Sequence, residues 1–436
     1  MPNLKESAKR IFHDTLAAID IPATIRRKLE RTGSQIRCAG QTIDLSAFEV
    51  ILVLSVGKAA YASARGLLDA LAPDFTATGI LVAPTVPPAD LPNFLRFAGG
   101  HPVPNEDSLA AGRAALELVR GCDERSLIFF LLSGGGSALM EAPLYDDLTL
   151  EDVQALNRVL VTCGAPIDEI NAVRKHLSAI KGGRLAAAAP AAMKVTLGVS
   201  DVPQGRESAL ASGPTLPDPT TCEMVYRVVE KYRILDKLPA PIRARIAERS
   251  LEETPKQGDA AFARSQFELL LGVDDLFAAA RAAAEAQGFT VVCDNASDDW
   301  PLSKAADYLL KTLAQLKKQN DGARVCVIAD GEVSSPVSGS GVGGRNSALV
   351  LNCVEKIAGR SVAVLSAGTD GIDGNSPAAG AVADGLTHGR SIMSGLDYVD
   401  FFRRSDAYSF FRMLDDAIET GPTGNNLRDL RILLAE

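Results

Sequence analysis

The sequence predicts an α/β protein with two domains. The 436-residue chain is 47% hydrophobic and 23% charged, a composition typical of globular proteins rather than of disordered or fibrous ones. Its apolar residues form short continuous runs, each followed by a glycine-rich or acidic loop and then by a helical segment. Continuous runs, unlike alternating ones, are typical of strands buried on both faces, as in parallel sheets flanked by helices.

The predicted elements follow in a regular order. Residues 5–19 predict an amphipathic helix, and one face of it carries Ile11, Phe12, Thr15, Leu16 and Ile19. Strands are then predicted at 50–56, 126–132, 194–199, 325–329 and 362–366. The segment 239–266 has prolines near its start, a charged run and few strand signals. We therefore place a boundary there, which gives domains at 1–245 and 260–436.

Charge and cysteine content exclude several classes of protein. With 45 basic and 54 acidic residues the net charge is -9, which disfavours general nucleic-acid binding. The seven cysteines are scattered without a C-x-x-C pair, which argues against a disulfide framework or a zinc site. The N-terminus has charges where a signal peptide needs an apolar run, and no apolar run approaches the roughly 18 residues of a membrane span. We expect a cytoplasmic protein with a small-molecule ligand.

Three loops in the first half follow predicted strands, where open parallel sheets bind ligands. Lys58 follows Gly57, and its ammonium group is suited to neutralising a transferring phosphoryl group, although a solvent-exposed lysine at a helix start is the alternative. A triple-glycine loop is suited to binding a phosphate or carboxylate through backbone N–H groups, although a tight turn is the alternative; it comprises Ser133, Gly134, Gly135, Gly136 and Ser137. Asp201 is either a Mg²⁺ ligand or base, or an ordinary turn residue.

Two loops in the second half carry further candidates. Residues 339–344 match G-x-G-x-x-G, but no strand directly precedes them and no acid follows about 20 residues on. A flexible loop that delivers Arg345 to a phosphate is the simpler interpretation. Asp370 and Asp373 lie three residues apart between glycines, with Asn375 beyond them. They predict a Mg²⁺ site, or a base beside a metal ligand, and a plain Gly/Asp loop is the alternative.

A basic stretch lies between residues 171 and 184 on a predicted helix. Arg174 and Lys181 are seven residues apart, which would put them on one helix face. A solvated helix face is the default interpretation, and attraction of an anion is the minority hypothesis.

Six motifs in this order resemble the class II glycerate kinases, the glycerate 2-kinase group whose C-terminal module is called MOFRL. The group includes proteins labelled hydroxypyruvate reductases that are associated with tartrate degradation. The resemblance spans nearly the whole chain. The motifs are VGKAA around Lys58, LLSGGGSAL at 131–139, INAVRKHLSAIKGGRLA at 170–186, SDVPQGRESALASGPTLPDPTT at 200–221, GRN at 344–346 and AGTDGIDGNSPAAGAV at 367–382.

The resemblance implies two α/β domains, the first Rossmann-like, with the active site in the cleft between them. It implies Mg²⁺- and ATP-dependent phosphorylation of D-glycerate, usually to 2-phosphoglycerate. The family's Lys, Asp, Arg and Asp active-site residues fall on Lys58, Asp201, Arg345 and Asp370. We expect Asp201 and Asp370 to serve the metal, and loop 133–137, Asp373 and Asn375 to bind phosphate or substrate.

The sequence departs from the family pattern at 204–207, 329–333 and 347–348. These departures bear on nucleotide and metal binding, and they motivate one alternative, a non-catalytic sugar-acid-binding protein on a kinase fold. The other alternative is an NAD(P)H-dependent hydroxypyruvate reductase, which requires a dinucleotide fingerprint. The sequence leaves open the 2- or 3-position of phosphorylation, the nucleotide preference, which Asp is the base, and whether the chain forms a homo-oligomer.

Overall fold

The computed structural model describes residues 3–86, 90–200, 207–425 and 427–436. The chain divides into two compact units, a first unit of Ile21–Gly272 and a second unit of Met1–Asp20 with Val273–Glu436. This division differs from the ranges 1–245 and 260–436, which remain a prediction about domains. The α/β class is confirmed, because helices alternate with strands along the chain. No helix in the described ranges is both long enough and apolar enough to cross a membrane.

The helices of the described residues are numbered in chain order. They are α1 Leu4–Ala18, α2 Ile21–Lys28, α3 Ala60–Leu71, α4 Glu106–Arg120, α5 Gly136–Leu139, α6 Leu150–Thr162, α7 Ile167–His176, α8 Arg184–Ala187, α9 Cys222–Lys231, α10 Ala240–Ala247, α11 Val273–Glu285, α12 Leu302–Gln319, α13 Arg345–Cys353, α14 Thr387–Met393, α15 Tyr398–Arg403 and α16 Ala407–Met413. The predicted first helix is confirmed as α1, whose buried residues include Ile11, Phe12 and Thr15.

The strands are numbered in the same way. They are β1 Glu30–Thr32, β2 Gln35–Cys38, β3 Gln41–Asp44, β4 Val50–Val56, β5 Thr78–Ala83, β6 Phe94–Ala98, β7 Ser126–Leu132, β8 Met193–Val199, β9 Ser265–Leu271, β10 Thr290–Asp294, β11 Val325–Asp330, β12 Val362–Gly368, β13 Gly380–Asp384, β14 Ala417–Ile418 and β15 Asp429–Ala435. All five predicted strands are confirmed, two with unchanged bounds and three extended by one or two residues.

The first unit is built on a six-stranded parallel sheet in the order β6-β5-β4-β7-β8-β9. A separate antiparallel sheet comprises β1, β2 and β3. The large sheet is covered on both faces, since every residue of β7 is buried. Because β4, β7 and β8 are neighbours, their carboxyl ends and the loops that follow meet at one edge.

The second unit has a six-stranded mixed sheet in the order β10-β11-β15-β12-β13-β14. Only β10 and β11 pair in parallel, and the C-terminal β15 lies antiparallel between β11 and β12. Continuous apolar runs therefore form strands of a mixed sheet here, as well as strands of the parallel sheet in the first unit. A continuous apolar run indicates that both faces of a strand are buried, as they are from Ala363 to Ala367 in β12. It does not indicate whether the neighbouring strands are parallel or antiparallel.

The basic stretch at 171–184 is not one helix face. Helix α7 ends at His176, and Lys181 lies in the turn before α8. Lys175 is buried and forms an ion pair with Asp218 at 2.9 Å, and buried Lys181 contacts the carboxylate of Glu141. The predicted positive patch is wrong because these two lysines are neutralised inside the first unit.

Replacing Asp218 by asparagine should lower the free energy of unfolding by about 3–5 kcal/mol, because it leaves the buried ammonium of Lys175 without a carboxylate. The Asp218 side chain is fully buried and also accepts hydrogen bonds from Thr220 Oγ1 at 2.7 Å and Thr254 Oγ1 at 3.0 Å. Urea unfolding of the wild type and the variant measures the loss. Glu223→Gln is the matched control, since Glu223 pairs with Arg249 on the surface and should change stability by less than about 1 kcal/mol.

The stability that Asp218 contributes should depend on pH in a defined direction. Burial works against ionisation, but Lys175 and the Thr220 hydroxyl outweigh it and lower the pKa of Asp218. Its contribution is therefore present above the unfolded pKa of about 3.9 and is lost as the pH falls through the folded pKa. The difference in the free energy of unfolding between wild type and Asp218→Asn should therefore become smaller as the pH falls below the folded pKa of Asp218. Equal decreases in the free energy of unfolding for Asp218→Asn and Glu223→Gln would contradict this account.

Candidate functional site

In the first unit, the turn after β4 is locked against the triple-glycine loop after β7. The Lys58 backbone N–H donates to the carbonyl oxygen of Gly134 at 3.0 Å, and the Ala59 N–H donates to Ser133 Oγ at 3.0 Å. Gly57 has φ +127°, and a Cβ there would lie 2.6 Å from the Ser133 carbonyl oxygen, so a side chain has no room. Two of the predicted elements, Lys58 and the loop, are thus held together by backbone contacts.

The loop at 133–137 turns tightly into a short helix. Ser133 is buried, and its hydroxyl accepts the Ala59 N–H, so this side chain positions the Lys58 turn. Gly135 has φ +84° and precedes α5, a helix of only four residues. The helix dipole expected behind the loop is therefore small. Any anion binding at the loop depends mainly on its backbone N–H groups.

A second segment of the first unit meets the far end of this loop. Ser137 Oγ lies 2.8 Å from Ser212 Oγ, and the Ser212 hydroxyl donates to Asn171 Oδ1 at 3.4 Å. Three consecutive residues, Ala211 to Gly213, have φ between 50° and 61°. Left-handed backbone at non-glycine residues is concentrated at functional sites. Ser212 and Asn171 were missed by reasoning from residue types, although both lie inside motifs quoted for the family resemblance.

His101 is a further neighbour of the loop that the sequence did not single out. A Cβ at Gly135 would lie 3.2 Å from the ring carbon Cδ2 of His101. Lys58 itself is half-buried. Asp201, predicted as a catalytic residue and metal ligand, lies outside the described residues, as do the departures at 204–206. Its neighbour Ser200 is buried directly after β8.

In the second unit, Arg345 is the first residue of α13 and is held by two carboxylates. Its Nε donates to Asp429 Oδ2 at 2.5 Å and its Nη1 to Glu332 Oε2 at 2.8 Å. Burial alone would lower the pKa of Arg345, but these two carboxylates outweigh it and raise the pKa. The guanidinium is permanently charged and lies at a fixed helix start rather than at the tip of a flexible loop.

Asp373 and Asn375 hold the backbone on either side of Arg345. The buried Asp373 carboxylate accepts hydrogen bonds from the N–H groups of Asn346 and Ser347, both at 2.9 Å, and from Ser347 Oγ at 2.6 Å. Asn375 Oδ1 accepts from the Gly343 N–H at 2.8 Å. Burial raises the pKa of Asp373, against the effect of these hydrogen bonds. Both side chains thus position the helix start that carries Arg345.

Asp370 is half-buried and lies two residues after the end of β12. One of its carboxylate oxygens accepts the Ile372 N–H at 3.0 Å, which shapes the turn toward Asp373. The predicted Asp370 and Asp373 therefore share one loop of the second unit, and Asp373 also contacts the first turn of the helix that begins at Arg345. Whether Asp370 binds a metal stays a prediction.

A second charged cluster in this unit was missed by the sequence analysis. Arg428 has φ +111° and pairs with Asp298 at 2.5 Å and Asp330 at 3.1 Å. Fully buried Arg431 donates to the Asp330 carbonyl oxygen at 2.7 Å. Among the described residues, Asp330 Oδ1 has no hydrogen-bond partner, and burial raises the pKa of Asp330. The signal that could have found this cluster is the charged pattern Arg-Asp-Leu-Arg at the start of an otherwise apolar terminal strand.

Comparisons with known proteins match both halves of the chain. Residues 7–247 match the model described as "Domain of unknown function (DUF4147)", and residues 325–429 match the MOFRL family. A D-glycerate 2-kinase of Thermotoga maritima is 33% identical over 91% of this chain and 93% of its own. A protein of Agrobacterium vitis named "Putative hydroxypyruvate reductase" is 36% identical over 88% of this chain and 86% of its own. The crystal structure of a glycerate kinase from Thermotoga maritima has a TM-score of 0.83, with 33% identity over 99% of each chain.

Proposed function

Because the chain belongs to the MOFRL family of glycerate kinases, we propose that it transfers the γ-phosphoryl group of ATP to D-glycerate and forms 2-phosphoglycerate. The observation that carries the proposal is the pair of hydrogen bonds that join the backbone N–H groups of Lys58 and Ala59 to the triple-glycine loop. These contacts set a residue with a cationic side chain beside a glycine-rich loop that is suited to binding an anion. Phosphoryl transfer needs positioning and charge neutralisation of this kind, and little covalent chemistry from the protein.

In this proposal Lys58 neutralises charge on the transferring phosphoryl group. That charge is spread over three oxygens in the transition state, so a positioned ammonium group stabilises it more than the ground state. The loop at 133–137 holds the glycerate carboxylate or a nucleotide phosphate through its backbone N–H groups. Ser137, supported by Ser212, supplies a hydroxyl at the end of the loop.

Arg345 contributes a second cation to the same reaction. Its contacts with Asp429 and Glu332 account for three of the five guanidinium N–H groups, which leaves donors for phosphate oxygens. Asp373 and Asn375 act by fixing the helix start and the glycine segment before it, rather than by touching the substrate.

The acidic residues of the second unit fit a hard divalent cation. Asp370 is a half-buried carboxylate, and Asp330 has a buried carboxylate oxygen without a partner among the described residues. Oxygen donors of this kind are what Mg²⁺ prefers. We propose that Asp370 or Asp201 holds Mg²⁺ or accepts the proton of the 2-hydroxyl group. When bound, Mg²⁺ would neutralise the nucleotide phosphates.

We also propose that the enzyme acts in the cytoplasm, in glycerate metabolism linked to tartrate degradation. This setting follows from the family resemblance and from a reaction that consumes ATP and a small hydroxy acid.

Phosphorus NMR of the product formed from ATP, Mg²⁺ and D-glycerate tests the proposal. We expect the resonance of 2-phosphoglycerate together with that of ADP. The resonance of 3-phosphoglycerate would overturn the proposed position, and ATP left unconsumed would overturn kinase activity. Oxidation of a reduced nicotinamide cofactor by hydroxypyruvate, without ATP, would instead establish the reductase.

A further inference from the structure

A cluster of three metal-ligand side chains lies in the first unit, and the proposed reaction does not use it. His176 ends α7, Cys222 begins α9, and Glu253 lies in the segment after α10. One ligand atom from each residue lies within 4.8 Å of the other two. We propose that His176, Cys222 and Glu253 form a structural site for a divalent transition metal of the Zn²⁺ class, against the expectation from cysteine spacing, because the three ligands come from distant segments.

The hydrogen bonds of His176 leave one ring nitrogen ready to bind a cation. Nδ1 lies 2.8 Å from the Ala172 carbonyl oxygen, which can only accept, so Nδ1 carries a proton. Nε2 lies 2.8 Å from Glu253 Oε1, another acceptor when ionised. Two acceptor atoms at this distance require a proton between them, and a metal ion could replace that proton once the atoms separate slightly. An Nδ1–H group donated to a carbonyl is also the arrangement that orients histidine ligands in metal sites.

The separations are compatible with metal coordination after a small movement. Bonds of about 2.0–2.3 Å in a tetrahedral site place neighbouring ligand atoms roughly 3.3–3.7 Å apart. Nε2 and Oε1 would move apart, and Cys222 Sγ, which lies within 4.8 Å of the other two ligand atoms, would be the third ligand. Glu253 can make this movement because its side chain is 47% exposed. The Cys222 N–H donates to Glu253 Oε1 at 2.9 Å, so the backbone of one ligand already orients the next.

The donor set selects the class of metal. A thiolate and an imidazole favour Zn²⁺ or Co²⁺ over Mg²⁺, which prefers oxygen ligands. A thiolate and a carboxylate together balance the +2 charge of the ion. The bound ion would displace the ammonium group of Lys256, whose Nζ lies 3.5 Å from Glu253 Oε1. Water from the exposed side would complete four ligands. The bound ion would connect three segments that are far apart in the sequence, so it should raise the melting temperature.

Cobalt titration of the chelator-treated full-length protein tests the site. We expect one equivalent of Co²⁺ to produce visible d–d bands and a thiolate-to-cobalt charge-transfer band, both abolished by Zn²⁺. Cys222→Ser should lose the charge-transfer band and weaken Co²⁺ binding by at least about 10–100-fold. Cys163→Ser, which changes another half-buried free cysteine of the same unit, is the matched control and should behave as wild type.

Glu253→Gln provides a second, independent variant, because Glu253 is half exposed and its loss should leave the fold intact. It should weaken Co²⁺ binding to a similar extent and remove the rise in melting temperature. Absence of the cobalt bands in the wild type, or bands unchanged in Cys222→Ser, would overturn the proposal. A proton alone would then bridge His176 and Glu253.

Discussion

Replacing Lys58 by alanine should lower kcat for glycerate phosphorylation by about 10³-fold or more while the protein stays folded. Positioned cations that stabilise a transferring phosphoryl group are worth about 10³–10⁵ in rate. The turn that carries Lys58 is fixed through backbone atoms, by the bond from its N–H to Gly134 and by the contact between Gly57 and Ser133. Removing the side chain therefore removes the charge without releasing the turn. Steady-state kinetics and a thermal melt measure the two quantities.

Two further variants separate the charge of Lys58 from its position. Lys58→Arg keeps a cation but changes its shape and reach, so it should recover only part of the lost rate. Lys231→Ala removes an exposed lysine of the same unit, paired on the surface with Glu169, and should leave kcat unchanged. Near-wild-type turnover in Lys58→Ala would show that Lys58 does not act on the phosphoryl group.

Arg345→Ala should lower kcat by about 10³-fold as well, and it should also lower stability. The stability loss arises because the Asp429 side chain is only 5% exposed and loses its partner. An uncompensated buried carboxylate is destabilising. A thermal melt must therefore accompany the kinetics and show that the variant is folded at the assay temperature, so that unfolded enzyme is not counted as a loss of rate.

Arg345→Lys distinguishes a chemical role of Arg345 from a structural one. Lysine keeps the charge beside Asp429 and should recover most of the stability, but it lacks the planar fork that binds two phosphate oxygens, so kcat should stay low. Arg404→Ala, an exposed arginine of the same unit that pairs with Asp400, should change neither quantity. If Arg345→Lys restored kcat together with stability, Arg345 would be a structural residue only.

The central strands and their loops were predictable because burial on both faces demands consecutive apolar residues. The segments at 50–56 and 126–132 therefore match β4 and β7 without change. Lys58 and the triple glycine could be found for a related reason, since a ligand-binding loop must follow a strand end and needs backbone without side chains. Asp201, Arg345 and Asp370 were candidates from their loops as well, and the family's active-site residues fall on the same positions.

Other features depend on contacts that leave little local pattern. Residues 171–184 looked like one basic helix, but Lys175 and Lys181 are buried beside Asp218 and Glu141, which are distant in the sequence. The antiparallel insertion of β15 depends on strand pairing across the second unit, and a continuous apolar run does not encode its direction.

The sequence by itself determined the α/β class, the strand-loop-helix order and the identity of Lys58, Arg345 and the triple-glycine loop as candidates. A buried strand needs consecutive apolar residues and a ligand-binding loop needs glycines or charged residues, so each can be recognised within a single segment of the sequence. Only the tertiary structure decided that Ser133 fixes the Lys58 turn, that Asp373 caps the helix of Arg345, and that Asp429 and Glu332 hold its guanidinium. Such roles arise when distant segments satisfy each other's hydrogen bonds and charges, and folding alone brings those partners together.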